Sequence, residues 1–545
     1  MRYSDKTVEG LTVAVAANRR VFRVAQFFRV AEEARWPLWM LAIAVLALIA
    51  VRIALQSITI DEADTYVYWV SGKFAKIWQP NANNHLLNSY LIWVSTHLFG
   101  LNNFSMRLPS FLGALLYVSA AYRFCMSFAA RLSLRLPLYG CFLLNPFLLD
   151  FFVAARGYGL ALGFFTTAVV MMCQLIVEHG ISRRSVSIRF ALVSSSLALS
   201  FVSSFSFAFA CTVSFALFLA IWIGQELSRP PEERIVQNGG LSCYLRLLCA
   251  ALAPAACLTL ALAGWTLLHW PKGQIVVGAS SPGESWSTFL RFTFSKLNAR
   301  ILSPYLMKTF RHWRKALPWI LITLTLLETC YIFARWRHWR YRPKTNRRAL
   351  LCAYLGGVFV LTLLSHLLAF HYAGLLLPKD RTSIFFVPLC LMIVGAVAGF
   401  PHSDVLGKAM RWATVAILIV GSAYFVGCIR LHYFLLWRFD ADMEPTYRKL
   451  VSVVGRGHET QVPCEYLYTS ALNYYREYFH DDSFGWFWLW DAPDRAPSTH
   501  YQPYPLNSGV YVLMFPQDES FVAQQHLRIV YRGPVSDVVI AVRPK

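Results

Sequence analysis

The chain has 545 residues, of which 57% are hydrophobic and 15% aromatic, with a mean hydropathy of +0.45. That composition excludes a soluble enzyme, because the apolar runs recur at lengths that cross a hydrocarbon core of roughly 30 Å. The net charge of +22 does not point to nucleic acid either, since Lys and Arg collect in the cytoplasmic loops of membrane proteins.

Residues 1–36 carry Arg19, Arg20, Arg23, Arg29 and Arg35 among Val21, Val24, Phe28 and Ala31. The spacing reads as a basic amphipathic segment on the cytoplasmic leaflet, or as a basic tail. The first span is expected over 37–55, with Arg52 snorkelling to the far surface. Further spans are expected at 108–128, 136–153 and 158–177. The run 190–223 is too long for one span and is broken here near 203–206. The remaining spans fall at 247–268, 317–333, 350–370, 384–400 and 412–429. Lipid cannot satisfy open backbone groups, so all of these must be helices. The expectation is an all-α polytopic bundle of about eleven transmembrane helices within residues 37–437.

A cytoplasmic N-terminus puts Arg131, Arg135, Arg183, Arg184, Arg189, Arg229, Arg234, the basic run 335–348, Lys408 and Arg411 inside. Three segments then lie outside: the loop at 56–107, a loop at about 269–315, and the tail 438–545. The tail reads as a small external α/β domain. Strands are expected at 465–468, 510–515, 528–531 and 538–542, and helices at 444–454 and 471–479. Most of the 12 cysteines sit inside apolar runs, so neither a disulfide framework nor a zinc knuckle is expected.

The first external loop concentrates charge in a chain otherwise poor in it. Ala63, Tyr66, Val67, Val70, Phe74, Ile77 and Trp78 recur at helical spacing, as do Leu87, Tyr90, Leu91, Val94 and Leu98. Neither set is apolar all round, so two interfacial helices are expected. Thr59-x-x-Glu62 has capping-box spacing, which gives Glu62 a structural reading. Asp61 or Asp64 can equally favour a helix N-terminus. A cap needs one polar residue, however, and here Asp61, Glu62 and Asp64 stand together at a membrane surface, where carboxylates tend to be functional. Asn83 and Asn84 suit a turn. His85 is open between a helix-start residue and a phosphate or metal partner. Arg107 reads as the anchor of the next span.

These residues resemble the GT-C superfamily of membrane glycosyltransferases, including the protein O-mannosyltransferases and the lipid A aminoarabinose transferase. The resemblance rests on IDEADTY, then NNHLLNSYLIWVSTHLFG, then SMRLPSFLGALL. AARGYGLAL, LLPKDRTSIFFVPL and WRFDADMEPTYRKLV are similar to later landmarks of the same family. Where many members show His-Pro-Pro or Lys-Pro-Pro, this chain has Asn84-His85-Leu86.

The resemblance implies a GT-C type fold and an inverting hexosyl- or pentosyltransferase. The donor is a polyprenyl-phosphate sugar and the acceptor a hydroxyl on a periplasmic glycan, lipid or protein. Asp61 is implied as the catalytic base, with Glu62 and Asp64 orienting the acceptor or a metal. Arg156, Lys379, Arg381 and His85 are implied at the donor phosphate, and Tyr158 in the sugar pocket. Lys272 is a weaker candidate. No metal cluster is visible by spacing, and a divalent ion is left open. The expected location is a bacterial inner membrane, multi-pass, with membrane lipids as partners and no nucleic acid. A transporter or flippase of a lipid-linked saccharide is the alternative. It also needs cations for a lipid phosphate but has no evident use for the acidic loop, and the chain lacks repeat symmetry.

Overall fold

The computed structural model describes residues 35–178, 182–229, 240–271, 273, 277–335, 343–401, 404–455, 460–491 and 501–544. The basic segment before residue 35, Lys272 and part of the run 335–348 lie outside the described residues.

The spans are α1 (Trp36–Leu55), α4 (Asn103–Phe128), the pair α5 (Leu132–Leu144) and α6 (Pro146–Val153), α7 (Tyr158–Val177), α8 (Arg183–Ser203), α9 (Ala208–Leu227), α10 (Gly240–Leu268), α12 (Pro304–Ala334), α13 (Pro343–Ala373), α14 (Phe386–Ala398) and α15 (Val405–Val426). Among the described residues, 10 helices are long and apolar enough to cross a membrane, and the bent α5–α6 pair brings the number to 11. That pair bends by 51° because Pro146 has no N–H to continue the helix and disfavours helical backbone at Asn145. Asn145 then caps the new helix, its Oδ1 accepting from Phe147 N and Leu148 N. The expected break in 190–223 is present: Ser204 is extended, and a 3-10 turn over Phe205–Phe207 starts the next span.

α7 lies at the centre of the bundle. A Cβ on Gly113 would stand 2.4 Å from the Gly159 backbone, so the absence of a side chain lets α4 and α7 touch backbone to backbone. Arg52 does not snorkel. It is 1% exposed and donates to Oδ1 of the half-buried Asp150 on α6 at 2.5 Å.

The first loop departs from two plain helices. A single α-helical turn, α2 (Ile60–Asp64), passes directly into a π-helical turn over Thr65–Val70. A 3-10 turn follows over Phe74–Trp78, and then the full helix α3 (Leu86–Phe99). Asn84 ties the turn as its position suggests, donating to Ile77 O at 2.8 Å and Gln79 O at 3.1 Å.

α11 (Pro282–Thr293) lies in the loop before α12. The tail contains α16 (Met443–Val454), α17 (Tyr466–Tyr478) and α18 (Glu519–Gln524). It also holds a two-residue pairing of β1 (Trp490–Asp491) with β2 (Gln502–Pro503). Strands β3 (Val510–Met514), β4 (Arg528–Arg532) and β5 (Val538–Val542) form an antiparallel sheet in the order β3-β5-β4, with Val512 opposite Ile540. The strand expected at 465–468 is instead the start of α17. Glu465 caps it, accepting from Leu467 N at 2.7 Å, and a local cap of this kind overrides a four-residue apolar pattern. The tail packs onto the first loop: Tyr475 Oη accepts from Ile58 N, Asp440 Oδ2 from Ile60 N, and Ala441 O from Ser57 Oγ.

Candidate functional site

The site is built where α2 meets the bend between α6 and α7. Thr59 and Glu62 form a reciprocal capping box, Thr59 N donating to Glu62 Oε2 at 2.9 Å and Glu62 N to Thr59 Oγ1 at 3.3 Å. Glu62 does more than cap. Its Oε1 accepts from Arg107 Nε at 2.8 Å and Ala155 N at 2.6 Å, and its Oε2 also accepts from Arg107 Nη2 at 2.9 Å. Arg107 in turn donates to the carbonyls of Ile53, Gln56 and Ser57. Both side chains are fully buried. Glu62 therefore has no lone pair left for an acceptor or a metal, and the orienting role expected for it is replaced by a structural one. Arg107, expected as a surface anchor, is the other half of that buried pair.

Asp61 points the other way. Its Oδ2 accepts from the Arg381 guanidinium and, at 3.0 Å, from Trp437 Nε1. Arg381 comes from the 3-10 turn Asp380–Ser383, just before α14. Arg156, wholly buried, reaches the backbone of the same acid: Nη1 donates to Asp61 O at 3.0 Å and to Thr65 Oγ1 at 3.2 Å, and Nη2 donates to Asn83. Its Nε has no hydrogen-bond partner among the described residues.

The neighbouring Gly157 is required by space. A Cβ there would fall 1.9 Å from Ser203 O and 2.9 Å from the His85 side chain. This tight approach carries His85 Nδ1 to 2.9 Å from Ser203 O and its ring to 4.8 Å from that of Tyr158. Tyr158 shares a side-chain hydrogen bond with Arg381.

Burial by itself would raise the Asp61 carboxyl, but the Arg381 and Arg156 guanidinia and the Trp437 N–H outweigh it, so its pKa lies below the usual carboxylate value. Asp64 sits one turn on, on the same face. Burial lifts it to about 6, with the Asp61 charge adding to the rise and a hydrogen bond from Ser470 opposing it. His85 is held well below its ordinary value, first by burial and then by the Arg156 charge. Its ring is neutral at physiological pH and donates from Nδ1 to Ser203 O. That removes the positive charge expected of it at a phosphate, and His85 serves as packing between α3 and the α8 terminus.

Lys379 stands at the rim and donates to Glu284 Oε1 at 2.6 Å, so its side chain faces α11 rather than Asp61. The structure thus gathers Asp61, Asp64, Arg156, Arg381, Tyr158 and His85. It sets Lys379 to one side and turns Glu62 inward. Sequence reasoning missed Trp437, Asn83, Thr65 and Ser470. Of these, Thr65, Asn83 and Trp437 lay in stretches already singled out, IDEADTY, NNHLLNSYLIWVSTHLFG and WRFDADMEPTYRKLV, and Ser470 did not. Among the described residues, no group of three or more His, Cys, Asp and Glu side chains is arranged to hold a metal ion.

An apolar groove of about 150 Å³ is lined by Phe289 of α11, Phe359, Leu363 and His366 of α13, and Phe386 of α14. Pro378 and Ser383, also in its lining, flank Lys379 and Arg381 in the chain.

No family model and no curated protein matches the chain. Among solved structures it is similar to the crystal structure of ArnT from Cupriavidus metallidurans bound to undecaprenyl phosphate. The identity is 11% over 94% of this chain and 100% of that one, with a TM-score of 0.49. It is also similar to the apo crystal structure of the same protein, at 12% identity over 93% of this chain and 99% of that one, with a TM-score of 0.38.

Proposed function

We propose that the chain is an inverting glycosyltransferase that moves a sugar from a polyprenyl-phosphate donor to an acceptor hydroxyl on the outer face of a bacterial inner membrane. The observation that carries this reading is an ionised Asp61 whose carboxylate is held by Arg381 and whose backbone carbonyl is held by the buried Arg156. Asp61 Oδ2 is occupied by Arg381 and Trp437, while Oδ1 takes no hydrogen bond among the described residues and is available to an acceptor. In the transfer, the acceptor oxygen attacks the anomeric carbon opposite the phosphate and Asp61 takes its proton. The bond from that carbon to the phosphate oxygen breaks, and polyprenyl phosphate leaves with the electron pair. Arg381 and the Arg156 Nε meet the charge that develops on it. The prenyl units nearest the phosphate would lie in the Phe289–Phe386 groove, with the rest of the chain in the surrounding lipid.

Arg381 has a second effect. Drawn to the donor phosphate, it loosens from Asp61, and a carboxylate losing a cationic partner becomes more basic. Donor binding thereby arms the base. In this reading residues 37–437 carry the donor site, 438–545 lie outside, and the N-terminus is cytoplasmic, as the arginines of the inner loops favour.

The donor half is tested on full-length protein in nanodiscs by native mass spectrometry with polyprenyl phosphate. Arg381→Ala is expected to weaken its retention at least about tenfold, as loss of a charge-assisted contact would. Retention equal to wild type contradicts the assignment.

A pH dependence follows from Asp64. Its pKa is raised, so it is largely protonated at pH 5 and ionised above pH 7. If the ionised form binds the acceptor, kcat/KM for the acceptor rises with pH through about 6. Asp64→Asn is expected to flatten that limb, and a limb unchanged in the variant assigns the titration elsewhere.

A further inference from the structure

Beyond the Asp61–arginine cluster, a second set of polar and aromatic side chains gathers where the first loop meets the tail. Asp64, the last residue of α2, and Tyr68, in the π-helical turn that follows it, lie four residues apart. Ser470 of α17, itself buried, hydrogen-bonds both side chains. Tyr68 is 45% exposed. Across from it, Tyr466 at the start of α17 and Tyr501 stack with ring centroids 4.5 Å apart and planes 20° from parallel. The Tyr501 hydroxyl feels the charges of Asp64, Glu465 and Asp491, and Tyr68 feels Tyr501. The π-turn that carries Tyr68 is fixed by Tyr66, whose ring meets that of Tyr474 edge-on at 5.6 Å. π-helical turns of this kind often mark functional sites.

Rigid tyrosines offer apolar faces at little entropic cost, together with hydroxyls at their tips. A carboxylate accepts several hydroxyl protons at once. A ring with one apolar C–H face and many hydroxyls is the ligand that uses both. A peptide bound by strand addition needs unpaired backbone groups to pair with, and the π-turn and α17 have their own backbone bonded internally.

We infer that Tyr68, Tyr466 and Tyr501, with Asp64 and Ser470, form the acceptor subsite and that the acceptor is a saccharide. This rests on the transferase reading and specifies its acceptor. Asp64 and Ser470 hold hydroxyls of the acceptor ring, and the tyrosines cover its apolar face. One helical turn back, Asp61 then stands beside the hydroxyl that attacks. Asp64 is here a positioning residue, and the proton goes to Asp61.

The test is saturation-transfer NMR on the full-length protein in nanodiscs. The probes are methyl glycosides of the gluco, galacto and manno series and a Ser/Thr-containing peptide. Saturation is expected to reach at least one methyl glycoside. It should fall at least fivefold in Tyr68→Ala and Tyr501→Ala and persist in Tyr68→Phe, Tyr501→Phe and Asp61→Asn. The phenylalanine variants keep the rings and so separate loss of the platform from loss of the fold. Saturation reaching only the peptide, reaching no probe, or unchanged in both alanine variants overturns the subsite. Donor turnover is followed alongside, as release of free sugar from polyprenyl-phosphate donor to water. Intact donor turnover with no glycoside contact overturns the subsite alone. Glycoside contact with no donor turnover overturns the transferase reading alone.

Discussion

Replacing Asp61 by Asn is expected to lower the transfer rate about a thousand-fold, about 4 kcal/mol on the barrier. The substitution keeps shape and keeps an oxygen for Arg381 or Trp437, so the fold and the groove should remain. What disappears is the negative charge that receives the acceptor proton. The loss should fall on kcat, with retention of polyprenyl phosphate kept or raised, because in the proposed reading Asp61 competes with the donor phosphate for Arg381. Single-turnover assay of the purified full-length variant checks this. A rate within about tenfold of wild type would make Asp61 a helix-terminus residue of the kind its position also allows.

Glu62→Gln is expected to cost stability rather than rate. Arg107 would remain fully buried with its carboxylate partner gone, and an uncompensated buried charge costs about 3–5 kcal/mol. The damage would spread, since Glu62 also holds Ala155 N next to Arg156 and Thr59 N at the cap of α2. A lower yield of folded protein and a lower midpoint on heating in detergent are the readouts. The exposed pair Arg448–Glu444 is the internal contrast. It lies at i, i+4 on α16, and such pairs contribute about 0.3–0.5 kcal/mol, so Glu444→Gln should move the midpoint hardly at all. Equal shifts in the two variants would contradict the reading of Glu62 as a buried strut.

The difference between those two pairs also explains what the sequence discloses. Span length and hydropathy are local quantities, so the bundle, the break at Ser203–Ser204 and the number of crossings were readable before any coordinates. The capping box at Thr59 and Glu62 is likewise a local spacing. The partner of Glu62 lies 45 residues away and that of Arg52 lies 98 away. Nothing in local spacing announces such pairs, and both arginines looked like surface anchors. The same limit hid Trp437, which reaches Asp61 across 376 residues, and the docking of α17 onto the loop. Two of the tail helices and three of its strands followed from their periodicity, α18 did not, and Glu465 turned a short strand-like pattern into a helix start. At the site, the acids and arginines were recognisable as types. Which of them face one another was a matter of tertiary packing: Asp61 outward to Arg381, Glu62 inward to Arg107.

The central claim is that Asp61 takes a proton during consumption of a lipid-linked sugar. The most direct measurement compares membranes from cells making the wild type with membranes from cells making Asp61→Asn at matched protein level. Polyprenyl-phosphate sugars and envelope glycans are profiled together by mass spectrometry. With Asp61 as the base, one glycosylated polyprenyl phosphate is expected to accumulate in the variant while one decoration of matching mass is lost from the envelope. Profiles identical between the two, with the deletion strain differing from both, would contradict it and favour a carrier of lipid-linked saccharide over a transferase.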